Sequence, residues 1–264
     1  MQLRWAGFRR VRRQVCRRIG ARMRALGIAS TVEYRAYLEH EPAEWPLLDA
    51  LCHITISRFY RDRALFDTLR DEILPALASG PFDEAARLRC WSAGCASGEE
   101  AYTLALIWHF AVAPRAPRVQ IEITATDLER PLLARARRAC YPRSSLRELP
   151  AAWLAAAFET RPEGYCLIEA LRADVRFLEQ DLRKARPDGR FQLILCRNLA
   201  FTYFAPAVQQ QVLAHLRESL APRGILVLGA HERLPPNDDF QPLAPGRPLY
   251  RRRPLEPSLP QPGM

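Results

Sequence analysis

Four nearly continuous apolar runs constrain this chain most: "RLRCWSAGC" from Arg87, "VQIEITATD" from Val119, "FQLILCRN" from Phe191 and "GILVLGAHE" from Gly224. Helix-patterned segments separate them, namely Glu99 to Phe110, "RPLLARARRAC" and "PAVQQQVLAHLRESL". A strand with one face in water must alternate polar with apolar residues, whereas a strand covered on both faces need not. Continuous apolar strands alternating with helices therefore predict a parallel, doubly wound α/β sheet. The order is interrupted between Ser144 and Asp181, where "SLRELPAAWLAAAF" reads as helical and "GYCLIE" and "VRFLEQDL" as extended. That interruption predicts a small β accessory hairpin on the sheet domain.

Ahead of the sheet the period changes. Trp5, Phe8, Val11, Val15, Ile19, Met23 and Leu26 recur every three or four positions with arginines between them, which predicts one amphipathic helix with a basic face. "STVEYRAYLEH" and "EWPLLDALCHI" predict two shorter helices, Ser30 being placed to cap the first. "RDRALFDTLRDEILPALA" predicts a connecting helix. The expected organisation is an all-helical N-terminal domain over 1–54, a sheet domain over 55–253 and a proline-rich, disordered tail over 254–264.

The 264 residues are 48% hydrophobic, enough for a substantial core, and the formal net charge of +10 comes almost entirely from arginine. Such a balance points to acidic partners: nucleic acid, anionic lipid or an acidic protein surface. Seven cysteines, at 16, 52, 90, 95, 140, 166 and 196, include no CxxC pair, and the histidines never fall at zinc-ligand spacing. The expectation is a reduced, cytoplasmic protein without metal. No apolar stretch approaches the roughly 18–20 residues of a membrane span. The first acid is Glu33, so the start is arginine-rich and acid-poor like a transit peptide, but it is also poor in serine.

In doubly wound sheets the ligand lies beyond the carboxyl ends of the strands. Those ends are Gly94 to Gly98, Asp127, Asp181, Arg197 with Asn198, and Gly229 to Glu232. A dinucleotide site uses G-x-G-x-x-G to cradle pyrophosphate at a helix start; here the turn is only G-x-x-x-G, and Glu99 and Glu100 follow at once. Each close like-charge pair opposes a phosphate by roughly 1 kcal/mol or more. Acids in a first helical turn also complement the macrodipole, so Glu99 has an ordinary structural explanation. The pair beside a glycine turn suits a cationic, phosphate-free ligand, and S-adenosylmethionine has both an ammonium and a sulfonium. Asp127 is placed to accept from ribose hydroxyls or to cap the next helix. Asp181 is placed to meet an adenine amino group.

With these residues in view, the chain resembles the CheR family of chemoreceptor methyltransferases. The resemblance rests on "WSAGCASGEEAYTLAL", "ITATDLERPLLARAR", "VRFLEQDL", "FQLILCRN", "TYF" and "ILVLGAHE", in family order from about Ile54 to Arg253. It implies a Rossmann-like class I methyltransferase sheet domain, S-adenosylmethionine as cofactor, and transfer of its methyl group to receptor glutamates. It also implies cofactor contacts at Thr55, Ser57, Arg61, Glu100, Asp127, Asp181, Leu182, Arg197 and Asn198, beside Gly94 and Gly98 of the turn. Arg61 and Tyr203 are implied as the groups that orient the acceptor. Three departures mark a divergent member. Thr55 and Ser57 stand where the family has asparagine and threonine, one extra residue separates Asn198 from Tyr203, and "GAHE" replaces "GHSE", shifting His231 by one position.

The basic helix from Arg9 to Arg24 is either a solvated face or a docking surface for acid-bearing receptor helices, on a protein expected to be monomeric and not membrane-inserted. Nucleic acid is the competing partner, but the aromatic residues lie on the apolar stripe and do not interleave with the arginines. A non-catalytic S-adenosylmethionine-binding signalling protein stays open, and so does a nucleic-acid methyltransferase. For the latter, "LPPND" at 234–238 has the wrong residue order.

Overall fold

The computed structural model describes residues 2–9, 11–53, 57–80 and 86–253. Thr55 and the 254–264 tail lie outside the described residues. Among the described residues ten strands build two sheets: β1 (Arg87–Ala93), β2 (Gln120–Asp127), β3 (Cys140–Tyr141), β4 (Phe158–Arg161), β5 (Gly164–Leu167), β6 (Val175–Glu179), β7 (Phe191–Leu195), β8 (Leu220–Val227), β9 (Phe240–Pro242) and β10 (Leu249–Arg252). The larger sheet runs β6-β2-β1-β7-β8-β10-β9. Its first five strands are mutually parallel, and β10 is antiparallel to both β8 and β9.

The continuous apolar runs follow from this layering. Leu88 and Cys90 face one core with Leu193, Leu195, Ile225 and Val227. Trp91 and Ala93, of opposite parity, face a second core with Ile194, Leu226 and Leu228. Each fully buried side chain of this kind contributes about 1.5–3 kcal/mol, and Trp91 satisfies its indole N–H on Thr126 Oγ1 at 2.9 Å. The first core is covered by α6 (Glu99–Ile107) and by α4 (Arg63–Thr68), which passes through a π-helical turn (Leu69–Ile73) into α5 (Leu74–Ala78). Pro75, lacking an N–H, stands where that turn ends. α7 (Arg130–Arg138) adds Leu133 and Ala136, and α11 (Pro206–Ser219) covers the second core.

The helical domain holds α1 (Arg12–Ala25), α2 (Thr31–His40) and α3 (Glu44–Cys52) around Val15, Met23, Tyr34, Leu38 and Leu48. Ser30 caps α2 as expected, its Oγ accepting from Glu33 N at 3.2 Å. Glu44 is buried and takes Arg22 in a two-bond fork at 2.9 and 2.7 Å, with Tyr34 adding a third bond at 2.8 Å. Arg22 holds the Glu44 carboxyl below its ordinary range.

Three expectations are corrected. The first helix does not run from Trp5: Trp5–Phe8 is a 3-10 turn and α1 starts at Arg12. Trp5 is 57% exposed beneath the Arg12 guanidinium, because this segment is recruited elsewhere. Leu3 bridges Phe204, Arg4 N donates to Tyr203 O at 2.8 Å, and a Cβ on Gly7 would lie 2.1 Å from Thr202 O. The accessory element is a three-stranded sheet, β3-β5-β4, and "VRFLE" belongs to the main sheet as its edge strand. The accessory sheet lies between α7 and α9 (Glu169–Arg172), and α8 (Ala151–Ala157) is shorter than predicted because it starts only after Pro150, Arg143–Ser145 forming a separate 3-10 turn, and ends where "FETR" pairs with β5. Finally, the cysteines are not all free thiols. The β3–β5 register sets Cys140 opposite Cys166, and the two form a disulfide. Among the described residues no His, Cys, Asp and Glu group could hold a metal ion, and no helix is long and apolar enough to cross a membrane.

Candidate active site

The strand order reverses at β1, with β2 on one side and β7 on the other, so a crevice opens at their carboxyl ends. Gly94 turns the chain there with φ +83°, a left-handed conformation that suits glycine. A Cβ at Gly94 would lie 2.4 Å from Leu199 Cδ2, so the close approach of the β1 and β7 loops also demands glycine. Gly94 N and Cys95 N both donate to Thr126 O, at 2.8 and 2.9 Å. Ala96 N donates to Asp127 Oδ2 at 2.8 Å and Gly98 N to Cys95 O at 2.9 Å. These four amides of the turn are spent within the protein, which adds a structural reason to the charge argument against a phosphate cradle in the turn.

The crevice, counted with the open solvent at its mouth, spans about 1060 Å³. Ser57, Arg61, Gly94, Glu100, Asp127, Asp181, Leu182, Arg197, Asn198 and Tyr203 all line it. Gly98 does not. Its positive φ and the Ala136 Cβ and Phe177 ring, 2.9 and 3.1 Å from where a Cβ would stand, make it a helix-packing glycine. Glu99 is 1% exposed, accepts from Ser97 Oγ at 2.8 and 2.9 Å and lies 3.8 Å from Arg135. Of the two acids only Glu100 reaches the crevice.

Glu100 Oε1 accepts from Ser92 Oγ at 2.7 Å, and Oε2 accepts from Arg197 Nη1 at 2.9 Å. Arg197 is thus a supporting group more than a ligand: its side chain is 3% exposed and lies over the Phe66 ring. Its Nη2 donates to Asp62 Oδ2 at 2.6 Å and to Arg61 O at 2.9 Å. Asp127 does not cap α7, whose N-cap residue is Glu129. The Asp127 carboxylate faces the crevice while Oδ1 accepts from Glu129 N at 3.0 Å and Oδ2 from Ala96 N. Burial pushes the Asp127 carboxyl up, against the pull of those two amides. Asp181 accepts from Arg183 Nε and Nη2 at 2.9 and 3.0 Å. Burial alone would raise Asp181, but the Arg183 hydrogen bonds and charge outweigh it and hold the carboxyl low.

On the opposite wall Tyr203 ends α10 (Ala200–Tyr203), and its ring lies 5.0 Å from Phe8. Burial pushes its phenol up, opposed by the nearby positive charge of Arg61. Tyr203 and Arg61 both line the crevice.

Glu232 carries a role that the strand-end reading did not assign. Its carboxylate is 3% exposed and accepts from Asn198 N at 2.7 Å, Gly229 N at 2.8 Å and Thr202 Oγ1 at 2.6 Å. It thereby fixes Asn198, which has φ +56°, and the helix bearing Tyr203. His231, displaced in the motif, is exposed. Glu232→Gln turns an amide N–H2 toward existing donors and should cost about 2 kcal/mol of unfolding free energy in a denaturant titration. His231→Ala should leave that titration unchanged. Gln180, His53 and Arg183 also line the crevice unforeseen; their sequence signals are weak, because each is identified by neighbours distant along the chain.

Residues 55–247 match the family described as CheR methyltransferase, SAM binding domain, and residues 11–51 match the CheR methyltransferase all-alpha domain. The chain is 32% identical over 206 residues to a chemotaxis protein methyltransferase of Listeria monocytogenes, spanning 77% of this chain and 76% of that protein. It is 31% identical over 222 residues to chemotaxis protein methyltransferase 2 of Pseudomonas aeruginosa, spanning 81% and 76%. An uncharacterised 104.1 kDa protein of Rhodobacter capsulatus is 31% identical over 236 residues, which cover 89% of this chain but 24% of that larger protein.

Proposed function

This chain belongs to the CheR methyltransferase family, and on that premise we propose that it methylates glutamate side chains of a chemoreceptor-like protein, forming glutamyl methyl esters. S-adenosylmethionine, when bound, supplies an electrophilic methyl group on a sulfonium. The observation that carries the reading is the convergence of Arg61, Glu100, Asp127, Asp181 and Tyr203 on one crevice at the strand-order reversal. The donor set fits the cofactor group by group. Glu100 offers a carboxylate to the ammonium, and Asp127 one to the ribose hydroxyls. Asp181 faces the adenine end together with Gln180, whose Oε1 is buried without a hydrogen-bond partner. Leu128, an exposed apolar side chain beside Asp127, offers a face to the base. Ser57 keeps a hydroxyl at the crevice.

An acceptor glutamate, with an ordinary pKa of about 4.3, is ionised at neutral pH and needs no general base. The residues must therefore orient it and exclude water. Arg61 supplies charge-assisted donors to the carboxylate, and Tyr203 supplies one O–H, its ring braced by Phe8. We take 1–54 as the protein-docking domain and 55–253 as the transfer domain. On α1, Arg12, Arg13, Arg17 and Arg24 are exposed toward an acidic partner, whereas Arg22 is held by Glu44, and Arg18 donates to His53 O at 2.6 Å. The basic face is thus narrower than a count of arginines suggests.

The test incubates the purified chain with methyl-labelled cofactor and, separately, receptor cytoplasmic fragments or nucleic acid. Base-labile label on the receptor is expected. Label on nucleic acid instead, or cofactor binding with no transfer to either, overturns the proposal and favours the other two readings.

A further inference from the structure

A chain of polar contacts crosses the rim of the crevice and is absorbed by neither the fold nor the transfer chemistry. It begins at Glu129, two residues beyond Asp127, whose Oε1 lies 2.8 Å from His53 Nδ1. His53 follows α3, and its Nε2 lies 3.6 Å from Asp49 Oδ2 on that helix. The same Asp49 oxygen accepts from Arg183 Nη1 at 3.2 Å, and Arg183 grips Asp181 through its other nitrogens. The sequence of groups is therefore Glu129, His53, Asp49, Arg183, Asp181. Its two ends stand beside the carboxyl ends of β2 and β6, and its middle belongs to the helical domain.

We propose that His53 is a positioning residue for the adenosine half of the site, tying the ends of β2 and β6 to α3 so that cofactor affinity depends on how the helical domain is seated. This rests on the placing of the adenosine at Asp127 and Asp181 proposed above. A consequence follows from linkage: whatever docks on the helical domain and shifts α3 alters cofactor affinity, and bound cofactor alters docking by the same factor.

The electrostatics of the junction give the link a proton dependence. Around His53 stand Asp49 from its own helix, Glu129 and Asp127 from the β2 loop, Arg183 beyond Asp49, and Arg18 from α1 on its carbonyl. A neutral imidazole either donates to Glu129 or turns a lone pair on it; an imidazolium donates to Glu129 and sets its second N–H and its charge toward Asp49, 3.6 Å away. Asp49, 3.6 Å away, together with the hydrogen-bonded Glu129 raises the His53 pKa against the effect of burial. A folded-state pKa above the unfolded value means that the contribution is fully present below about 6.5 and is lost as pH rises through the raised value.

Titration calorimetry of the full chain with S-adenosylhomocysteine from pH 6 to 9 tests this. Wild-type affinity should fall as pH rises through the His53 titration. His53→Gln should bind about 10-fold more weakly at pH 6 and lose that pH dependence. Glu129→Gln, which removes the sheet-side partner and leaves the helical domain untouched, should do the same and substitutes for His53→Gln if the latter does not fold. Asp127→Asn reports on the premise. If it weakens binding while His53→Gln and Glu129→Gln keep wild-type affinity and pH profile, the link is refuted and the adenosine placing stands. If Asp127→Asn binds as tightly as wild type, the placing fails and the proposal fails with it.

Discussion

Arg61→Ala is expected to lower methyl transfer to a receptor fragment by about 100-fold or more, the scale set by losing a preorganised charged donor at a reacting carboxylate. The unfolding midpoint, measured beside turnover, separates loss of the donor from loss of the fold. What Arg61 gives Arg197 is its backbone carbonyl, at 2.9 Å, and alanine keeps that carbonyl. Cofactor affinity separates orientation of the acceptor from binding of the cofactor: a fall in turnover at saturating cofactor locates the loss on the acceptor side. Tyr203→Phe retains the ring against Phe8 and removes only the hydroxyl, so its loss of turnover should be smaller than that of Arg61→Ala. Near-normal turnover in Arg61→Ala would remove the residue from the acceptor site.

Arg197→Ala should have the largest effect on stability, about 3–5 kcal/mol, as expected when one partner of a buried ion pair is deleted. The guanidinium joins Glu100 at 2.9 Å, Asp62 at 2.6 Å and Arg61 O at 2.9 Å, and it covers the Phe66 ring. Without it Glu100 is left nearly buried with only Ser92 Oγ as a donor, and cofactor binding should weaken together with the fold. Arg197→Lys keeps the charge but cannot span Glu100, Asp62 and a carbonyl at once, so partial recovery is expected. Chemical denaturation and calorimetry on both variants check the two effects. A loss below about 1 kcal/mol in Arg197→Ala would show that the network is as weak as a surface pair.

The parallel sheet was legible because burial on both faces writes itself into the sequence: Leu88, Cys90, Trp91 and Ala93 are apolar since each parity meets a core. The crevice was legible through the rule that strand ends carry the site, which brought Gly94, Asp127, Asp181 and Asn198 together. What failed to show depends on neighbours remote in sequence. Gly98 reads like a ligand-approach glycine, but only the fold sets Ala136 and Phe177 against it. Arg197 carries no sign of its three partners, two of them more than 130 residues away. "FETR" is polar and follows an alanine-rich helix, so nothing local announces a strand until β5 pairs with it. The Cys140–Cys166 pair likewise depends on the β3–β5 register.

The attachment of the first residues to α10 has a kinetic meaning. Arg4 Nε donates to Thr202 O across a sequence separation of 198, and Phe8 closes over Tyr203. Contacts of such long range form against loop-closure entropy and come late in folding. The cofactor half of the crevice draws on the ends of β1, β2, β6 and β7 and on His53, but the acceptor wall is complete only after the amino-terminal segment has returned to it. Nascent chains, or chains clipped within the first ten residues, would therefore hold cofactor before they could orient an acceptor, and the same seam is the natural place for the native protein to open first.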